Sequence, residues 1–302
     1  MRKKAMLFLL CALLVTGLFS GCENSGSSSQ EEGKLTVYTS FYPMFDFVSR
    51  IGGDKVEVVN MVPAGTEPHD WEPSAADILR LEKARLFVFN GAGLEHWVED
   101  VLAALENSEL FVVEASQGIE LLEPEHDAHG HSHGMVDPHV WLNPLLVKAE
   151  AANILNALIA VDKKNTDVYR ANYEVFAGEL DVLDREFRVG LSGFSRRHIV
   201  VAHEAFSYLC DAYDLEQIGI EGLSPDSEPS PARMAEIVAF AKEHEVKVIF
   251  FEEKVSSKVA ETIAAEIGAE TAVLSPFEGL DEGDYFEVMR RNLATLQAAL
   301  SI

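Results

Sequence analysis

An uninterrupted helical pattern in the middle of the chain constrains its fold more than any other feature. From Asn165 to Gly190, apolar residues recur at Val168, Tyr169, Ala171, Tyr173, Val175, Phe176, Leu180, Val182, Leu183 and Phe187, and no proline breaks the run. The spacing predicts one helix of about 25 residues, roughly 38 Å long at 1.5 Å per residue. Such a helix joins its flanks stiffly, unlike a flexible linker. On both sides short β-rich runs alternate with helical patterns, the signature of βαβ units and parallel sheets. Strands are expected at Leu35–Phe41, Val56–Val62, Arg85–Asn90 and Leu110–Ala115, then at His198–Ala202, Gln217–Glu221, Val246–Glu252 and Thr271–Ser275. The expected class is α/β: two parallel-sheet lobes joined by one long rigid helix, with a cleft between them. The N-terminal lobe is expected over 34–164, the linking helix over 165–190 and the C-terminal lobe over 191–302.

Local signals mark the helix ends. Ser74-Ala75-Ala76-Asp77 resembles a capping box and should start a helix over Ala75–Ala84. Ser230-Pro231 places a cap before a proline at the first helical position. Ile267-Gly268 reads as a helix stop.

The first residues read as an export signal. Arg2, Lys3 and Lys4 precede an apolar run from Ala5 to Phe19, a basic head followed by a short hydrophobic stretch. At about 15 residues the run is short for a spanning helix, which needs ~20. It closes in Leu18-Phe19-Ser20-Gly21-Cys22, which resembles a bacterial lipobox although Phe19 stands where Leu is usual. Residues 1–21 are thus expected to be a signal peptide and Cys22 the lipidated first residue of an exported, membrane-anchored protein. Residues 22–33, rich in Ser, Gly and Glu beyond Cys22, read as a flexible tether. With Cys11 removed and Cys22 lipidated, Cys210 is the one remaining thiol, so no intramolecular disulfide is expected. Its apolar surroundings suit a buried small hydrophobe.

Charge narrows the partners. Lys+Arg number 24 against Asp+Glu 50, a formal charge of −26. Nucleic acid is excluded, because phosphate binding needs clustered Lys and Arg. A monomer with a solvated acidic surface is expected.

The ten histidines are unevenly placed. His69 lies in Pro63-Ala64-Gly65-Thr66-Glu67-Pro68-His69-Asp70-Trp71, His139 in Asp137-Pro138-His139-Val140-Trp141, and His203 in Val200-Val201-Ala202-His203-Glu204. Each falls at or after the carboxyl end of a strand or in a proline-marked loop, where open α/β sheets bind ligands. Imidazole is a preferred zinc ligand, and a neighbouring carboxylate can orient it through its other nitrogen. Any one of these histidines alone reads as a hydrogen-bonded structural residue; together they point to metal. A second feature is His126-Asp127-Ala128-His129-Gly130-His131-Ser132-His133, a His-rich loop over 126–133 that binds metal loosely or serves as a dispensable polar loop. His96, His198 and His244 read as helix, strand start and helix end. Gly91-Ala92-Gly93 follows a strand but lacks the third glycine of a dinucleotide fingerprint. Trp71, Trp97 and Trp141 read as packing, two of them as an apolar wall beside His69 and His139.

These three segments, with Phe251-Glu252-Glu253-Lys254-Val255-Ser256-Ser257-Lys258 and the tail Glu278-Gly279-Leu280 followed by Asp284-Tyr285-Phe286-Glu287-Val288-Met289, resemble the zinc-binding solute receptors of bacterial ABC importers, the ZnuA and AdcA type of the cluster A-I metal-binding lipoproteins. The likeness runs from about Leu35 to the C-terminus. It implies His69, His139 and His203 as metal ligands, with Glu278 or water as the fourth. It further implies capture of Zn2+ outside the cytoplasm, delivery to an ABC transporter permease, and the two-lobe fold. The His-rich loop matches the place where zinc receptors carry one.

Manganese-binding relatives pair two histidines with Glu and Asp, whereas three imidazoles and one carboxylate suit tetrahedral Zn2+. A zinc hydrolase would also use three protein ligands and a water, but no His-Glu-x-x-His segment is present and a fourth protein ligand would close the catalytic position. A surface adhesin is a third reading, suggested by the anchor. Ligand imidazoles must be neutral, so zinc affinity is expected to fall as the pH drops below about 6.5.

Overall fold

The β-branched runs form strands and the 3.6-residue patterns form helices, alternating within each half of the chain. The computed structural model describes residues 33–123, 136–225, 229–252, 257–279 and 283–301. The export signal with Cys22 and the His-rich stretch 126–133 lie outside them. The first half runs β1 (Leu35–Thr39), α1 (Tyr42–Gly52), β2 (Val56–Asn60), α2 (Ala75–Leu81), β3 (Leu86–Phe89), α3 (Val98–Ala104), β4 (Phe111–Glu114) and α4 (Pro144–Val161). The long helix α5 spans Thr166–Leu191, 26 residues. The second half runs β5 (His198–Val201), α6 (Ser207–Tyr213), β6 (Glu216–Gly219), α7 (Pro231–Glu243), β7 (Val248–Phe251), α8 (Lys258–Ile267), β8 (Glu270–Val273) and α9 (Tyr285–Ser301).

Both sheets are parallel and have the same topology, β2-β1-β3-β4 and β6-β5-β7-β8. In each, the strand order reverses direction beside the first strand, which opens a crevice at the carboxyl ends. The two crevices supply the loops of the site.

Period-2 alternation places the core. On β3, Leu86 and Val88 face the layer between the sheets while Phe87 faces outward; on β5, Ile199 and Val201 face that layer while Val200 faces away. The inner residues of both sheets join one apolar cluster with Phe47 of α1, Ile154 of α4, Leu180 and Phe187 of α5, Leu209 of α6 and Leu296 of α9. Each fully buried aliphatic or aromatic side chain in it contributes about 1.5–3 kcal/mol. The lobes therefore share a core, which resists independent motion. The outer faces carry smaller clusters of their own, under α2 and α3 in the first lobe and under α7 and α8 in the second.

The capping signals act as expected. The Ser74 hydroxyl accepts from Asp77 N while the Asp77 carboxylate accepts from Ser74 N. Ser230 caps α7 with Pro231 at its start, and Gly268 ends α8 at φ +69°. Helix α2 stops at Leu81 rather than Ala84, because Lys83 N and Ala84 N bond back three residues to Arg80 O and Leu81 O in a tightened last turn. His96, expected in a helix, lies in the turn before α3. Cys210 is buried on α6.

Candidate metal centre

Strand ends deliver every group of the site. His69 lies in the loop after β2, His139 in the segment between β4 and α4, His203 two residues past β5, and Glu278 in the loop after β8. One ligand atom from each falls within 4.8 Å of all the others. His139 Nε2 stands 3.2 Å from His69 Nε2 and 3.3 Å from His203 Nε2. Glu278 Oε1 lies 3.6, 3.5 and 4.0 Å from the Nε2 atoms of His69, His139 and His203. Four donors each 2.0–2.1 Å from a common centre form a tetrahedron with edges of about 3.3–3.4 Å. The observed spacings bracket that value.

Polar accounting points the same way. Glu278 Oε1 is buried and has no hydrogen-bond partner among the described residues. An unpartnered buried carboxylate oxygen is costly, and three imidazole nitrogens converging on it cannot all donate to one another. A cation satisfies all four atoms together. Three nitrogens and one carboxylate oxygen form a set suited to Zn2+.

The far side of two rings is fixed by carboxylates. Asp137 Oδ1 pairs with His139 Nδ1 at 2.8 Å and also accepts the His139 backbone N–H at 2.8 Å. Glu252 Oε1 pairs with His203 Nδ1 at 2.5 Å. Each carboxylate holds the ring in the tautomer that leaves Nε2 for a metal. Tyr208 of α6 secures the Asp137 backbone: its hydroxyl donates to Asp137 O at 2.8 Å and accepts from Leu122 N at 3.0 Å. His69 is the loosest of the three, on a partly exposed loop whose Glu67 carboxylate accepts the His69 N–H at 3.3 Å.

The electrostatics follow. Burial works to lower the His203 pKa, but the Glu252 charge and hydrogen bond outweigh it and push the group up to about 9. Burial also opposes the charge on His139, where Asp137 prevails and the pKa rises. At His69 burial wins and the pKa falls. Burial works to raise the Glu278 pKa, yet the facing His139 and His69 imidazoles and the His203 charge hold it well below the usual carboxylate range. For Glu67, burial and the Glu278 charge raise the pKa to about 8.

Adjacency in the chain coincides with a contact in one case and not in the other: Asp137 faces His139, whereas the orienting partner of His203 is Glu252 and the adjacent Glu204 carboxylate lies 3.2 Å from Arg233 Nη2. Because β5 and β7 are paired in the sheet, their carboxyl ends meet, and Glu252 is the residue directly after β7. A carboxylate at a second strand end was the available signal. Trp141 is fully buried with its ring centroid 5.1 Å from that of His139. Trp71 packs edge-on against Trp97 at 5.3 Å.

The glycine loop already holds a carboxylate of its own. Gly91, Ala92 and Gly93 all have positive φ, and the Glu95 carboxylate accepts from Asn90 N at 2.8 Å and Gly91 N at 3.0 Å. The turn encloses its own anion. A Cβ on Gly91 would meet the Glu114 carboxylate at 2.3 Å. His198 and His244 stack at 3.7 Å, away from the four-residue cluster, and Glu216 lies 3.1 Å from His198.

Known proteins share this plan. The chain is 40% identical to the high-affinity zinc uptake system protein ZnuA of Bacillus subtilis, over 100% of this chain and 99% of that protein. It is 35% identical to the zinc-binding protein AdcA of Streptococcus pyogenes over its whole length, spanning 62% of that longer relative. The solved structure of the laminin-binding protein Lmb of Streptococcus agalactiae, described as bifunctional with adhesin and metal-transporting activity, superposes with a TM-score of 0.82 at 36% identity, covering 89% of this chain and 100% of that one. The model of the periplasmic zinc-uptake complex component A matches residues 37–299, and the chain belongs to that ZnuA family.

Proposed function

We propose that this protein captures Zn2+ outside the cytoplasm at His69, His139, His203 and Glu278 and delivers it to an ABC-type permease for import. The observation that carries the reading is the convergence of three imidazole nitrogens and an unpartnered buried carboxylate oxygen at near-tetrahedral spacing. The zinc-uptake and zinc-binding names of its relatives support the cargo. The protein is a receptor and not an enzyme, because a fourth protein ligand fills the position that a catalytic zinc keeps for water. It acts as a monomer, tethered through a lipidated Cys22 after removal of residues 1–21. The lobes 34–164 and 191–302 are joined by the stiff helix 165–190, so binding the metal brings small changes rather than a wide hinge closure, and His126, His129, His131 and His133 gather zinc loosely for the tight site.

Metal analysis of protein purified without chelator, followed by competitive zinc and manganese titration of wild type and Glu278→Ala, tests this. One equivalent of zinc, bound in preference to manganese and weakened by the substitution, is expected. Stoichiometric manganese with little zinc would overturn the cargo. Deletion of Asp127–His133 should leave the tight site intact.

The description of Lmb as both adhesin and transporter gives a second reading, a surface attachment role beside uptake. Cells lacking this protein should lose zinc-limited growth, and attachment with it only if that second role is present.

A further inference from the structure

The residue in front of Glu278 holds a backbone conformation that its type disfavours. Phe277 has φ +60°, in the left-handed region that costs an L-residue roughly 1–2 kcal/mol. Its ring is fully buried. Such strain survives only where the surroundings over-determine it, and it clusters at ligand clamps.

Three fixings surround the turn. Ser275 Oγ accepts from Phe277 N at 3.0 Å. Asn292 of α9 brackets Ser275, accepting from its N–H at 3.0 Å and donating to its carbonyl at 2.7 Å. The third comes from the other half of the chain: Trp141 Nε1 donates to Pro276 O at 2.7 Å. Behind it, the Tyr285 hydroxyl donates to Trp141 O at 2.9 Å, while the Tyr285 ring packs on Phe277 at 5.3 Å. Trp141 lies two residues after His139, and Pro276 two residues before Glu278. One indole nitrogen thus ties the segment bearing an imidazole ligand to the segment bearing the carboxylate.

We propose that Trp141, backed by Tyr285, is a positioning residue of the metal site: it locks the strained Pro276–Phe277–Glu278 turn so that Glu278 Oε1 stands as the fourth donor and the site is held four-coordinate. The inference rests on the zinc-site reading above. Packing alone would not require the indole N–H, since a phenyl ring also fills apolar space. The donor meets a carbonyl that otherwise faces the interior, and it does so beside the one strained aromatic residue of the described chain. Four-coordination is what favours zinc over ions that prefer more oxygen ligands, so the clamp acts on selectivity as well as affinity.

The test is a double-mutant cycle on the full protein, with Trp141→Phe and Glu278→Gln alone and combined, read by competitive zinc titration and by the visible absorption of the Co2+-loaded forms. Tetrahedral Co2+ absorbs far more strongly than six-coordinate Co2+. In the wild-type background Trp141→Phe should weaken zinc binding about tenfold, as expected for an outer-shell partner, and dim the Co2+ bands toward those of Glu278→Gln. In the Glu278→Gln background the same change should cost less than about twofold, because coupled residues are non-additive. An equal loss in both backgrounds, or an undimmed Co2+ spectrum, overturns the proposal. Should Trp141→Phe fail to fold, Tyr285→Phe removes only the supporting hydroxyl and carries the same cycle with a smaller loss. If Glu278→Gln and His139→Ala both leave zinc binding at wild-type strength, the site assignment itself fails, a result distinct from an additive cycle.

Discussion

Two buried carboxylates in this molecule have opposite fates. Glu278 in the cleft and Glu150 on α4 each hold oxygen atoms without a hydrogen-bond partner among the described residues. Glu150 is wholly enclosed in the N-terminal half, where burial, and then the charge of Glu95, raises its pKa to about 8. It is a neutral acid at pH 7. Glu278 is nearly as deeply buried but faces three imidazoles, and it stays ionised. Burial by itself neutralises a carboxyl group; the groups that face it decide whether it can hold a cation. The abundance of acidic residues in the chain is therefore a poor guide to metal binding.

The largest expected effect separates the cleft from everything else. Structural zinc sites are worth about 10–16 kcal/mol over four ligands, so one lost ligand should cost on the order of 3 kcal/mol, or roughly a hundredfold in affinity. His139→Ala and His203→Ala should each show that loss in a chelator competition assay, whereas Glu150→Gln should stay within about twofold of wild type, the usual reach of a distant change. A comparable loss in Glu150→Gln would erase the distinction between the two carboxylates.

The reverse prediction concerns stability. A carboxyl group whose folded pKa lies above its unfolded value contributes stability that is complete below about 4.5 and drains away as the pH rises through about 8. Glu150→Gln removes the drain. In urea unfolding of the metal-free protein, the variant should exceed wild type at pH 9 by up to about 5 kcal/mol and match it near pH 4.5. A variant no more stable than wild type at pH 9 would show that Glu150 ionises without penalty. Glu278→Gln should behave differently, weakening zinc binding about 10- to 100-fold while leaving the pH 9 stability without that gain.

Much of this arrangement was legible in the chain. The β-branched runs fixed where strands end, and His139 and His203 follow such ends closely enough to be placed in a crevice. Ser74, Ser230 and Gly268 marked helix ends because their signals are local. What stayed hidden depends on which strands are neighbours. Glu252 lies 49 residues beyond His203, and only the β5–β7 pairing brings them together. Glu150 sits on a helix whose apolar residues are so abundant that no single face declares itself buried, so a glutamate there reads as solvated. Trp141 was readable as apolar packing, but its hydrogen bond to Pro276 crosses 135 residues.

The same hidden contact changes the pH response of the cleft. Unperturbed imidazoles would lose zinc only below about pH 6.5. With Glu252 beside it, His203 keeps its proton up to about pH 9 in the metal-free protein, and zinc must displace that proton to reach Nε2. Affinity should therefore fall already between pH 8 and pH 7, by about tenfold per unit for one displaced proton. Glu252→Gln removes the charge that holds the proton while retaining an acceptor for Nδ1–H. Its affinity at pH 8 should drop through looser orientation of the ring, but its dependence on pH between 8 and 7 should flatten, with the decline moving toward 6.5. Isothermal titration in two buffers of different ionisation enthalpy measures the proton released per zinc. A wild-type release at pH 7.5 that matches the variant's would mean that Glu252 orients His203 without charging it, and the cleft would then differ from the Glu150 interior by ring placement alone.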